Sequence, residues 1–237
     1  MILTGNSPGF EILVTQMPRT NGGTRPPSSR KRDANRPSAR ERIFDTASQL
    51  FYAKGIRAVG VETIAAEADT TKMSLYRNFP SKDELVAEWL REHDARFWKT
   101  WEAMASRYPS DPRRQIHAAF GLLAKHVADP AARGCPIANA AVEITEKYHP
   151  ARKVIEAHKA KLRSRLVQIC IRIGVSEPRL LADQLFLLME GAQVTTQTLG
   201  VHGPARNIAR SAKMLIDLHL RARHRRSLTR YFGRSTK

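Results

Sequence analysis

The sequence predicts an all-α fold, with three short N-terminal helices built around a helix-turn-helix and a larger helical domain after them. Three observations carry this expectation. From residue 38 onward apolar side chains recur at helical spacing, no segment sustains the period-2 alternation of a half-buried strand, and capping residues, Gly and Pro interrupt the pattern at helix-length intervals.

Ahead of the first helix, residues 18–37 (PRTNGGTRPPSSRKRDANRP) carry almost no apolar side chains. Such a stretch buries too little surface to offset its ordering entropy, so residues 1–37 are expected to be a flexible basic arm. Met17 reads as a more natural translation start than Met1, and Met1–Val14 lacks the basic n-region and long apolar stretch of a secretory signal.

The first helix begins at Pro37-Ser38, where Ser38 and Glu41 form a capping box. It presents Ile43, Ala47, Leu50 and Phe51 on one face and stops at Gly55. A short second helix, about 61–68, carries Val61, Ile64, Ala65 and Ala68 on one side. Asp69-Thr70 breaks it. Thr70 is the expected N-cap of a third helix that ends at Phe79-Pro80, because proline cannot continue the ladder. Ser81 and Glu84 form a second capping box and open a long helix with Val86, Trp89, Leu90, His93, Phe97, Trp101 and Met104 inward. Turns at Asp129-Pro130, Gly134, His149-Pro150, Gly174 and Gly203-Pro204 then delimit helices near 111–128, 135–146, 150–173, 177–199 and 204–226, and the arginine-rich stretch 221–237 is expected to fray.

The formal charge is +18, and 42% of residues are hydrophobic. The first figure is too basic for an ordinary metabolic enzyme and favours a polyanionic partner, nucleic acid before an anionic membrane; the second excludes global disorder. The excess is uneven, with net charges of +4, −1, +6 and +9 over residues 1–37, 38–90, 91–205 and 206–237. No apolar run is long enough to span a membrane. Cys135 and Cys170 are too few for a disulfide framework or metal cluster and fit a reducing cytoplasm. The histidines show no metal-ligand spacing, and neither a nucleophile–base–orienter constellation nor a phosphate-binding glycine loop is present, so the reading is of a protein that is not an enzyme and needs no cofactor.

Residues 61–79 have the helix-turn-helix layout. Leu75 and Phe79 point inward, while Thr71, Lys72, Met73, Tyr76 and Arg77 fall on the opposite side, a face suited to a major groove and its phosphates. Periodicity alone leaves a plain surface hairpin equally open.

The ungapped stretch from Gly55 to Leu85, with its Leu75-Tyr76-x-x-Phe79-x-x-Lys82 ending, resembles the N-terminal domain of TetR-type (TetR/AcrR) transcriptional regulators. The resemblance implies a DNA-binding domain over 38–98 with its helix-turn-helix at about 61–80, a ligand-binding and dimerisation domain over 99–226, and a basic tail over 227–237. It also implies that Thr71, Lys72 and Met73 read base edges, that Tyr76 and Lys82 bind phosphate, and that Arg77 and Asn78 contact phosphate or bases. Two positions depart from the family pattern. Asp69 stands where the family has a glycine in the left-handed region, and Gly60 stands where a capping Thr or Ser is usual.

Arg133–Glu143 resembles the Gly-Cys-x-x-x-Asn-Ala segment of one subset of these regulators, which opens a helix beside the inducer cavity. By that likeness Cys135 and Asn139 are expected to contact ligand; the large apolar side chains add Trp101, Phe120 and Met189, with Trp89, Phe97 and Phe186 as further candidates, although a stripe at helical spacing fits a plain core as well. Cys135, near a helix start, is either a redox-sensitive thiol of depressed pKa or a small packing residue. Leu181, Leu185, Leu188, Met189, Gly191 and Ala192, together with Ile208, Ala212, Leu215, Ile216 and His219, match the family's dimer helices or else line the monomer core. The expected function is a ligand-responsive, homodimeric repressor in the cytoplasm that binds a pseudo-palindromic double-stranded operator and is released by a small-molecule inducer. The alternative is a basic, non-specific binder of nucleic acid or membrane surfaces.

Overall fold

The computed structural model describes residues 36–232, with side chains through Arg221. Every regular element among them is helical: α1 (Ala39–Lys54), α2 (Val61–Glu67), α3 (Lys72–Asn78), α4 (Lys82–Ala105), α5 (Pro112–Val127), α6 (Pro136–Glu143), α7 (Pro150–Ile173), α8 (Pro178–Leu199), a 3-10 turn (Pro204–Asn207) and α9 (Ile208–Phe232). The expected arm, apart from its last two residues, and residues 233–237 of the expected tail lie outside the described residues. Where fraying is expected from residue 221, α9 instead continues to Phe232, because no Gly or Pro interrupts 205–232.

The caps account for most boundaries. At Ser38 both halves of the capping box form: the Ser38 amide donates to Glu41 Oε2 at 2.7 Å and the Glu41 amide to Ser38 Oγ at 3.2 Å. Gly55 ends α1 at φ +90°, and at Ser81 the hydroxyl accepts from the Glu84 amide at 3.1 Å. The cap of α3 is Thr71, not the expected Thr70. Asp69 sits at φ +49°, the left-handed region where Asp is better tolerated than most residues, and this turn directs the Thr70 amide to the carbonyl of Ala65. The Thr71 hydroxyl is left to accept from the Ser74 amide at 3.1 Å. α6 ends three residues short of the expected 146, because Ile144 turns extended to bury its side chain.

Two apolar cores organise the helices. The first joins α1, α2, α3 and the start of α4 through Ile43, Ile64, Leu75, Phe79, Leu85 and Leu90, and it also takes in Ile137 and Ala140 of α6 and Ile155 of α7. Cutting Leu75, fully buried there, to Ala should cost about 2–5 kcal/mol. The second core lies among the end of α4 and α5, α7, α8 and α9, around Trp98, Trp101, Ile116, Phe120, Leu166, Leu181, Leu185 and Ile216. α4 enters both cores and α6 packs in the first, so movement of α6 bears directly on the packing of the N-terminal helices.

Of the two alternatives for the α8 and α9 residues, dimer contact or monomer core, most fall in the core, Leu188 and Leu215 are half-buried against it, and Gly191 is exposed. Leu181, Leu185, Met189, Ala192, Ile208, Ala212, Ile216 and His219 are all buried within the chain. These helices are apolar on more than one side, so helical periodicity does not say which side turns inward.

Candidate nucleic-acid interface and internal cavity

α2 and α3 are held as a unit from beneath and at the turn. Ile64, Ala68, Leu75 and Phe79 share the first core. Arg42, which the sequence reading passed over, donates to the carbonyls of Ala68 (3.1 Å), Asp69 (3.2 Å) and Pro37 (2.9 Å), fixing the turn to α1. Its only sequence signal is an arginine on the flank of an otherwise apolar stripe. Arg40 lies over the Phe79 ring at 4.7 Å and pairs with both oxygens of Glu88 at 2.6 and 2.7 Å, tying α1 to α4.

On the outer side, Lys72, Met73, Tyr76 and Arg77 form a contiguous exposed face; Met73 is 65% exposed and Tyr76 43%. The Lys72 ammonium pairs with Glu62, and Arg77 Nη2 lies 3.5 Å from Met73 Sδ. Both bonds are at the surface, where an exposed ion pair contributes little and yields to a stronger anion. Thr71 is exposed, but its hydroxyl is committed to the cap. Two of the expected site residues are engaged elsewhere. The Asn78 amide turns back and donates to the Ser74 carbonyl at 2.8 Å. Lys82 Nζ donates to the Ile56 carbonyl at 2.6 Å, and burial lowers its pKa against the pull of Asp83 and Glu143. One of its three donors thus holds the loop before α2. Gly60 caps α2 with no side-chain bond, as its lack of a hydroxyl requires.

That loop is clasped from the other side by α6. The Arg57 amide donates to Glu143 Oε2 at 2.9 Å, and Arg57 Nη2 reaches Glu146 Oε1 at 3.2 Å. At the N-terminal end of α6, the Arg133 amide donates to the Tyr52 hydroxyl at 2.7 Å, and Arg133 also reaches the Ala53 carbonyl. The Gly134 carbonyl accepts from Tyr52 Oη at 3.4 Å and lies 3.4 Å from His126 Nε2 of α5. Gly134 adopts φ +71°, a left-handed conformation that strains any side chain and so favours glycine, and a Cβ there would also push Gln197 Nε2 aside.

Behind this junction lies an internal cavity of about 100 Å³. Of the expected ligand contacts, Trp101, Cys135 and Met189 line it, and so does Phe97. Phe120 does not, because it is fully buried in the second core. Asn139 does not either: it donates to the Arg133 carbonyl at 2.7 Å and accepts from Gln197 at 3.3 Å, lining a shallower groove beside α1. Trp89 packs on Phe51 at 5.5 Å in the first core, and Phe186 also lies outside the cavity lining. The Cys135 thiol is pushed up by burial, which favours the packing alternative over a thiol of depressed pKa; desolvation outweighs Lys159 and the α6 amides. Sequence reasoning missed the polar part of the wall, which includes Tyr52, His93, His126, His158, Lys159 and Glu190. These residues are scattered over five helices, and no local spacing brings them together. Among the described residues, no group of three His, Cys, Asp or Glu side chains could hold a metal ion, and no helix is long and apolar enough to cross a membrane.

Comparison with known proteins bears on both regions. Residues 43–89 match the family model of bacterial regulatory proteins, tetR family, and residues 112–212 match the tetracyclin repressor-like C-terminal domain. The TetR-family transcriptional regulator SCO4454 of Streptomyces coelicolor superposes with a TM-score of 0.68 at 27% identity, over 78% of this chain and 95% of that one. A putative TetR-type transcriptional regulator of Streptomyces avermitilis gives 0.64 at 31% identity, over 77% of this chain and 98% of that one. YvkB of Bacillus subtilis, an uncharacterized HTH-type transcriptional regulator, is 38% identical over 55 residues, which span 23% of this chain and only 29% of that relative.

Proposed function

The chain belongs to the TetR family of bacterial regulatory proteins, and on that premise we propose that it is a homodimeric, ligand-responsive repressor that binds a pseudo-palindromic operator in the cytoplasm. The observation that carries the reading is the exposed face of α3, where two cations, a thioether and a phenol stand together on a rigidly backed helix. Lys72 and Met73 lie in its first turn and meet base edges, while Tyr76 and Arg77 bind phosphates or bases one turn on. Thr71, Asn78 and Lys82 stay close to the DNA but chiefly shape the protein, each having a hydrogen bond within it.

A second copy gives the reading its symmetry. On α8, Leu180, Leu187 and Val194 repeat every seven residues on the outer side beside the exposed Gly191, and on α9 Met214 and Leu218 are exposed as well. Leu187 is 69% exposed and Met214 64%, so a face this apolar is best explained by burial against its own copy. This corrected set replaces the core-facing residues as the dimer contact. Two α3 helices then enter major grooves roughly 34–36 Å apart.

In this reading residues 38–98 bind DNA and residues 99–226 bind ligand and partner. A ligand in the cavity shifts Gly134 and α6, and through Tyr52 and Glu143 alters the seating of α1 and the loop before α2. Coupling of about 1–3 kcal/mol suffices to lower operator occupancy. The basic segments 1–37 and 227–237 add salt-sensitive, sequence-independent affinity.

The test is the double variant Lys72→Ala/Tyr76→Phe on a duplex selected by the native protein. The expected result is an unchanged circular dichroism spectrum and dimer mass with at least tenfold weaker binding. Unchanged affinity would remove α3 as the reader.

A further inference from the structure

The wall of the internal cavity includes two residues with a buried polar atom that no group among the described residues satisfies: Trp101, through its indole Nε1, and His126, through Nδ1. The two atoms are complementary in kind. Nε1 can only donate. His126 Nε2 lies 3.4 Å from the Gly134 carbonyl, which can only accept, so Nε2 carries the proton and Nδ1 presents a lone pair. One unsatisfied buried donor and one unsatisfied buried acceptor thus belong to residues that line the same space.

The rest of the wall argues against a charged occupant. Phe97, Met104, Leu122 and Leu162 supply apolar surface. Lys159 donates to both oxygens of Glu190 at 2.6 and 2.7 Å, so the cavity's two opposite charges neutralise each other. Burial lowers the pKa of His93, His126 and His158 and keeps all three imidazoles neutral at pH 7. Asp94, which is not part of the lining, accepts from Trp98 Nε1 at 2.8 Å and from His158 Nδ1 at 2.6 Å. An anion would have to displace Glu190, and a cation would have to displace Lys159.

We propose that the cavity takes an uncharged, single-ring molecule bearing a hydroxyl group, a phenol, whose hydroxyl supplies the donor that His126 Nδ1 lacks and the acceptor that Trp101 Nε1 lacks. The volume of about 100 Å³ is on the scale of one ring, since an apolar cavity of roughly 150 Å³ binds benzene. The inference rests on the reading of this cavity as the effector site.

Calorimetric titration of the full chain without DNA tests the ligand class, using phenol, toluene and benzoate. Phenol is expected to bind several-fold tighter than toluene, although toluene is the better guest for a purely apolar cavity, and benzoate is expected to bind more weakly than either. Trp101→Phe keeps a ring and drops the N–H, so it should weaken phenol about tenfold and leave toluene unchanged. Tighter binding of toluene or benzoate than of phenol by the native protein, or no phenol binding at millimolar concentration, would overturn the proposal even if the variant fails to fold. A folded Trp101→Phe that binds phenol like the native protein would also overturn it. Operator binding is read separately by fluorescence anisotropy. Phenol that binds without lowering DNA affinity would remove the effector-site reading and leave the ligand class standing.

Discussion

The Arg57 amide donates to Glu143 Oε2 at 2.9 Å, across 86 residues of sequence, and joins the loop before α2 to the end of α6. The same carboxylate lies over Gly55, where an added Cβ would sit 3.2 Å from it. Glu143 is thus a strut between the cavity-side helix and the N-terminal helices.

Glu143→Ala should free this loop without unfolding the protein. A hydrogen bond to a charged group contributes about 1.5–3 kcal/mol, and the partial exposure of this one puts it at the low end. Amide exchange at residues 55–58 should quicken by about tenfold, with the centre of α4 unchanged. Equal exchange in variant and native protein would remove the strut.

Acid should destabilise the fold through its buried imidazoles. Burial, aided by His158 and Arg96 and opposed by Asp94, lowers His93 from 6.5 to about 3. Below pH 6.5 the unfolded chain takes up a proton that the folded chain refuses, so stability falls as pH drops from 6.5 toward 3. At pH 5 the loss from this residue is about 2 kcal/mol. Urea unfolding at pH 7.5 and 5 should show the loss, and His93→Gln should reduce it by about that amount; an identical pH dependence in the variant would contradict the assignment.

Leu187→Glu places a charge in the proposed dimer face without touching the core, since the side chain is exposed in the single chain. It should weaken dimerisation by about 2 kcal/mol or more, roughly 30-fold, in sedimentation equilibrium, with the helical content kept. A dimer of native strength would move the interface elsewhere.

What the sequence made legible follows rules that act within a few residues. Ser38 with Glu41, Ser81, Gly55 and Pro80 mark helix ends wherever the chain folds, and the Leu75–Lys82 pattern identifies the helix-turn-helix. The shift of the α3 cap from Thr70 to Thr71 depends on the left-handed turn at Asp69, which the family resemblance implies but whose redirection of the Thr70 amide to the Ala65 carbonyl shows only in the folded chain. Long-range partners were not legible: Lys82 finds the Ile56 carbonyl 26 residues back, and Asn139 finds Gln197 58 residues on. Nor was the inner side of α8, because Leu181, Leu185 and Met189 on one face and Leu180, Leu187 and Val194 on another are equally apolar. Phe120 was misplaced for the same reason, since an aromatic at helical spacing fills a core as readily as it lines a cavity.

The central claim is that two copies of α3 read one symmetric duplex. Selection of bound sequences from a random pool, followed by the mass of the complex, tests it most directly. The account predicts one enriched pseudo-palindrome, with half-site centres about one helical turn apart and bound by an even number of chains, at least ~10³-fold tighter than unrelated duplex. A pool that returns no enriched sequence, with every duplex competing equally, would contradict it.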